Sequence, residues 1–134
     1  MTIIESKSTV NQPLERVYAF LADYNNHEKL MPENITNWSS NADESSFTIP
    51  NMGKLVLKIQ TRIPDQEIII VPAESAPFEL KLSWKLQAVN ELATEAFFTI
   101  AADLNMMMKM LASGPLKKLA DFQTTKLKEE LERI

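Results

Sequence analysis

Few side chains in this 134-residue sequence are of types that do chemistry. His27 is its one histidine. Asp23 precedes it by four residues, so on a helix the two would face each other, a pairing suited to general acid–base work. The neighbours Asn25, Asn26, Glu28 and Lys29 are all polar, however, and the expectation is an exposed, structural His27. Asp23 and Glu28, the nearest carboxylates, make no set at metal-ligand spacing, so no metal is expected. With no cysteine, thiolate nucleophiles, thiolate metal sites and disulfides are excluded.

Two further features invite a binding role. Asn105-Met106-Met107-Met108-Lys109-Met110-Leu111 holds four of the seven methionines. Flexible thioethers can form an adaptable wall or gate, or simply fill gaps beneath a kink, and gap-filling is the commoner use. Trp84 sits on the apolar face of a long alternating segment and suits a cavity wall, while Trp38, in a weaker segment, suits its mouth.

These residues are positioned by a sequence that changes period along its length. Residues 2–10 alternate as a strand. Asn11-Gln12-Pro13 ends it, with Asn11 the expected cap of a helix carrying Leu14, Val17, Phe20 and Leu21. Asp23 is positioned to cap a second short helix that Met31-Pro32 ends. Residues 35–41 and 45–49 read as weak strands, and Pro50 to Gly53 as a turn. Leu55, Leu57, Ile59, Thr61 and Ile63 share one face of a strand; Ile68–Val71 is another, followed by a loop from Pro72 to Pro77. Phe78, Leu80, Leu82, Trp84, Leu86 and Ala88 share a face of the next. Leu92, Thr94, Ala96, Phe98, Ile100, Ala102 and Leu104 share a face of the last, across a tight Asn90-Glu91 turn. The period then becomes helical: Leu116, Leu119, Phe122, Leu127, Leu131 and Ile134 form a stripe. Gly114-Pro115 should break this helix into a lead-in over 105–112 and a main part over 115–133. Glu129 and Arg133 are spaced for an ion pair.

One domain spanning 1–134 is expected. The balance of 14 Lys and Arg against 18 Asp and Glu speaks against nucleic acid and anionic membrane surfaces. The basic residues of the last helix, Lys117, Lys118, Lys126, Lys128 and Arg133, are offset by acidic ones and read as a solvated face. Neither a signal peptide nor a span for membrane insertion is legible, which points to the cytoplasm.

The opening Ser8-Thr9-Val10-Asn11-Gln12-Pro13-Leu14-Glu15-Arg16-Val17-Tyr18-Ala19-Phe20-Leu21-Ala22-Asp23, the segment Lys29-Leu30-Met31-Pro32 with Trp38 after it, and the closing helix over 105–131 resemble the START/birch-pollen-allergen-like superfamily. That superfamily is also called SRPBCC or helix-grip, and the likeness is to its small bacterial polyketide-cyclase and coenzyme-Q-binding-like members. The resemblance implies an α+β fold: a curved seven-stranded antiparallel sheet wrapped around a long C-terminal helix, with two short helices after the first strand. It also implies an apolar cavity for lipids, sterols, quinones or polyketides. The plant allergens' glycine-rich loop is missing, since Gly53 and Gly114 are the only glycines. No family catalytic residue maps onto the chain.

The faces expected to look inward carry Leu55, Leu57, Ile59, Leu82, Trp84, Leu86, Phe98 and Ile100. Their polar members are Ser6, Ser8, Thr48, Thr61 and Thr94, with no ionisable group. The expected function is therefore binding of a hydrophobic small molecule more than catalysis, with no cofactor. Its candidate site is Trp38, Leu57, Ile59, Thr61, Leu82, Trp84, Thr94, Phe98, Ile100, Met107, Met110, Leu111 and Leu119, with Thr61 and Thr94 orienting the guest. Two alternatives stand beside it. A cyclase- or aromatase-type enzyme would need a titratable group moved inward by a one-residue bulge, with Glu67 and Glu95 the residues to watch. A protein-interaction module with a vestigial cavity would expose an apolar outer patch, for instance at Val56, Ile69 or Phe97.

Overall fold

The computed structural model describes residues 1–50, 52–76 and 78–133. Seven strands form one antiparallel sheet: β1 Thr2–Val10, β2 Thr36–Ser40, β3 Glu44–Ile49, β4 Gly53–Ile63, β5 Glu67–Pro72, β6 Leu80–Asn90 and β7 Ala93–Ala102. Their spatial order is β1-β7-β6-β5-β4-β3-β2. Helix α1, Leu14–Ala22, and a 3-10 helix, Tyr24–Leu30, carry the chain from one edge of the sheet to the other. Helix α2, Met106–Glu132, covers the inner face.

The period-two pattern buries Leu55, Leu57, Trp84, Leu86, Ala96, Phe98 and Ile100 on that inner face. A sheet with one apolar face has to cover it, and α2 does so with Ala112, Leu116, Ala120, Gln123, Thr124, Leu127 and Leu131. Its buried stripe thus includes two alanines and two polar residues that hydrophobic periodicity passes over. Phe122, expected in the stripe, is 39% exposed, and Ile134 lies outside the described residues.

Polar groups fix the helix on the edge strand. The Ser6 and Thr124 hydroxyls lie 2.8 Å apart, and Ser8 Oγ donates to the Thr124 carbonyl at 2.8 Å. Lys117 and Lys128 donate to the backbone carbonyls of Glu5 and Thr9. Gln12 Nε2 donates to the Leu131 carbonyl at 2.6 Å, and the Thr94 hydroxyl donates to the Gln12 carbonyl at 2.9 Å. Asn11 does not cap α1; its backbone N–H donates to the Glu132 carboxylate, and Pro13 holds the N-cap position. Asp23 does cap the second helix, accepting from Asn25 N–H.

Three local expectations shift. The β6–β7 turn falls on Glu91-Leu92, one residue late, because a bulge near Ala88–Asn90 takes up a residue. Leu92 is consequently in the turn and exposed. Glu129 pairs with Lys126 and Arg133 with Glu130, in place of a Glu129–Arg133 pair. Helix α2 is continuous through Pro115, with Asn105 Oδ1 capping it at Met108 N–H. Proline removes only the donor to the Leu111 carbonyl, and Leu111 lies on an exposed stretch where water can take its place.

A proline inside a continuous helix still costs stability. Pro115→Ala should stabilise the protein by about 1–3 kcal/mol, read as a higher midpoint in urea denaturation. No gain would mean that the helix bends enough at this point to relieve the clash.

Candidate functional site

Between the inner face and α2 the side chains leave a small chamber of about 30 Å³. Its sheet walls are Leu57, Leu82, Trp84, Phe98 and Ile100; Tyr24, His27 and Met31 close one side, Met52 and Phe78 another, and Leu116, Leu119 and Gln123 of α2 the top. That volume admits one or two water molecules, whereas pockets for drug-sized ligands run to roughly 300–1,000 Å³. Two larger grooves adjoin it. One, of about 380 Å³, runs between Pro32–Ile35, Pro50 and the Pro115–Phe122 stretch of α2. The other, of about 350 Å³, is lined by Pro50, Met52, Phe78, Met108, Leu111, Ala112 and Pro115. Ile49, Met52, Leu116 and Leu119 face both the chamber and the first groove, so these four side chains are the wall between inside and outside.

Six of the thirteen candidate residues line the chamber: Leu57, Leu82, Trp84, Phe98, Ile100 and Leu119. Ile59 is buried in the core beside it. Trp38 stacks on Phe47 at 5.4 Å, meets Tyr24 edge-on, and gives its N–H to Ser40 Oγ. Asn37, at φ 58°, sits in the β2 irregularity that sets this placement. Met107 and Met110 are 72% and 82% exposed, and Leu111 lines only the outer groove. The thioethers at the chamber are Met31 and Met52 instead.

The expected orienting hydroxyls are elsewhere. Thr94 is spent on Gln12, Ser6 and Ser8 on α2, and Thr48 alternates with the buried Ser45 and Phe47 and points outward. Thr61 is moved by a bulge: Ile59 pairs with Ile70 but Thr61 pairs with Ile69, so β4 carries one extra residue. Cross-strand partners share a face, which puts Thr61 on the outer side and Arg62, opposite the buried Ile68, on the inner. The bulge therefore turns an ionisable side chain to the inner side, and it is a cation, but Arg62 remains exposed at the strand's end. Arg62 donates through Nε to the Ala22 carbonyl and through Nη2 to the Ala42 carbonyl and Asp43 Oδ1, each at 2.9 Å. Glu67 and Glu95 stay on the outer face, opposite Lys85 and Gln87 respectively. Val56, Ile69 and Phe97 are half-buried.

His27 is the main correction. It is 1% exposed, and its Nε2–H donates to the Leu21 carbonyl at 2.8 Å. The polar letters around it misled, because a 3-10 helix has three residues per turn: Tyr24, His27 and Leu30 fall on one face and turn inward together. Tyr24 meets the imidazole edge-on at 4.7 Å. Burial lowers the His27 pKa to about 4, against a smaller upward pull from the Leu21 carbonyl and Asp23. Burial also pushes the Tyr24 phenol up, with the Ser45 hydroxyl acting weakly the other way. Both groups are therefore neutral near pH 7. The chamber lining holds no Asp, Glu, Lys or Arg, and among the described residues no group of three His, Asp or Glu could hold a metal. No described helix is long and apolar enough to cross a membrane.

No family model matches the sequence, and no curated protein resembles it significantly. Solved structures do. A START superfamily protein from Mycobacterium smegmatis superposes with a TM-score of 0.68 at 12% identity, covering 96% of this chain and 98% of that one. The fold is the START-like helix-grip fold. The Zhui aromatase/cyclase from Streptomyces sp. R1128 superposes at 0.71 with 14% identity over 98% and 94% of the two chains. The Aha1 dimer from Colwellia psychrerythraea does so at 0.68 with 20% identity over 99% and 98%. In helix-grip terms, α2 is the gripped helix and the chamber is the space inside the grip.

Because the folded state resists protonating His27 and the unfolded state does not, stability is unaffected above pH 6.5 and falls as pH drops towards 4. The loss should reach about 3 kcal/mol. His27→Gln, which retains a donor for the Leu21 carbonyl, should remove most of the fall between pH 6.5 and 4.5 in urea denaturation series. An unchanged slope would assign it to the carboxylates.

Proposed function

We propose that this chain is a single helix-grip domain that binds a neutral, hydrophobic small molecule in the chamber, admitted by displacement of the Ile49–Met52–Leu116–Leu119 wall. The observation that carries this reading is the composition of the lining. It is apolar on every side, with only Trp84, Tyr24, His27 and Gln123 offering polar atoms, none charged near neutral pH. A wall of this kind gives affinity by removing apolar surface from water, at roughly 25 cal/mol per Å².

The same elements support opening. The C-terminal half of α2 is tied to β1 and to the β1–α1 turn. Its N-terminal half carries exposed Met106, Met107, Met110 and Leu111 and the proline that lacks a backbone donor. On the facing side, Met52 sits in the β3–β4 turn and is unbranched, so it can swing without strain. Displacing these two pieces would merge the chamber with the grooves, whose volumes match a small ligand.

Catalysis of the cyclase type is not favoured. A general base works best with a pKa near the working pH, and His27, the titratable group nearest such a role, is held neutral to about 4. Contact with a protein is a second reading, favoured by the exposed apolar face of Met106, Met107, Met110 and Leu111.

Native mass spectrometry of freshly purified protein should show a small-molecule adduct that denaturation removes. Leu119→Trp, at the half-buried wall, should cut binding of N-phenyl-1-naphthylamine at least about tenfold while changing stability by less than about 1 kcal/mol. A clean apo mass together with unaffected probe binding would reject the chamber as the site.

A further inference from the structure

Trp84, which lines the chamber, carries a buried donor with no partner among the described residues. Trp84 is fully buried, stacked on Phe98 at 4.4 Å, and among the described residues no side chain or carbonyl accepts a hydrogen bond from its Nε1–H. Buried donors are nearly always satisfied, and leaving one unpaired costs about 1–3 kcal/mol. The buried hydroxyls of Ser45 and Ser113 also have no fixed partner, but a hydroxyl can rotate towards a neighbour, as Ser45 can towards Tyr24. An indole cannot. Its N–H direction is set by the ring, and this ring is clamped between its neighbours. Trp38, the other tryptophan, has its donor engaged by Ser40.

We infer that the guest of this chamber carries a neutral hydrogen-bond acceptor, a carbonyl or ether oxygen on an otherwise apolar skeleton, and that Trp84 Nε1–H is the donor that receives it. The inference rests on the chamber reading above and narrows its ligand class. Indole is a donor only, so a hydroxyl or amine hydrogen on the guest finds no counterpart there. Two other donors of the lining already have partners. Gln123 Nε2 leans on the Met31 sulfur at 3.8 Å, and His27 Nε2–H is held by Leu21. A carboxylate guest would have no cation to meet, because Arg62 is bound to two backbone carbonyls and Asp43, and it does not line the chamber. A pure hydrocarbon would bury its surface equally well but would leave the indole unpaired. Selectivity should therefore come from one oxygen.

The test uses two probes of nearly equal shape, 2-acetylnaphthalene and 2-ethylnaphthalene, on the ¹⁵N-labelled full chain. Each tryptophan gives one indole N–H resonance, and Trp38→Phe identifies which belongs to Trp84. The ketone should bind about tenfold or more tighter than the hydrocarbon and move the Trp84 indole resonance downfield, as a new hydrogen bond does. In Trp84→Phe the preference should shrink to about twofold or less. The wild-type resonance decides the matter even if that variant folds poorly. Equal binding of both probes, or ketone binding that leaves the Trp84 resonance in place, overturns the inference while the chamber reading stands. Binding of neither probe overturns the chamber reading and the inference with it.

Discussion

Everything in this molecule follows from the need to cover one apolar face of a seven-stranded sheet with a single helix. A helix is narrower than such a sheet, so the cover is complete along one line and incomplete beside it. Complete cover lies over β1, where serine, threonine, glutamine and lysine side chains bind α2 to strand and turn. Incomplete cover lies over β4 to β6, where the 3-10 helix and the β3–β4 turn lean in to finish the enclosure. The chamber is the residual space where these pieces meet.

That geometry explains why the chamber is dry in character and its polar groups sparse. Titratable side chains near the inner face are either spent on backbone carbonyls, as Arg62 is, or held neutral by burial, as His27 and Tyr24 are. A site with these properties discriminates by shape and by a few directed hydrogen bonds.

Much of this was legible in the sequence. Strict alternation marked β4, β6 and β7 and chose their inner faces correctly up to Ile59, because a half-buried strand has to alternate. The fold followed from the order of elements and the opening motif through α1. What escaped notice came from irregularities that periodicity cannot register. One extra residue in β4 exchanged Thr61 for Arg62. A 3-10 helix written in polar letters hid Tyr24 and His27 inside. The spacing 24, 27, 30 of tyrosine, histidine and leucine was the available signal, visible only with a period of three in mind. The methionine run attracted attention by composition, yet composition does not say which way a helix faces, and Met107 and Met110 look outward. Pro115 reads as a break in sequence, but an exposed turn tolerates one missing donor.

The claim most exposed to test is the asymmetry of α2: from Lys117 onward it is tied to β1 and the β1–α1 turn, while its first turns, before Pro115, have no such side-chain ties and could move to admit a guest. Native-state hydrogen exchange along the helix measures this directly. Amides over 120–131 should open only with global unfolding, while those over 110–114 should exchange faster by at least about two orders of magnitude through local opening. Uniform protection along the whole helix would contradict it, leaving a closed chamber with no route in.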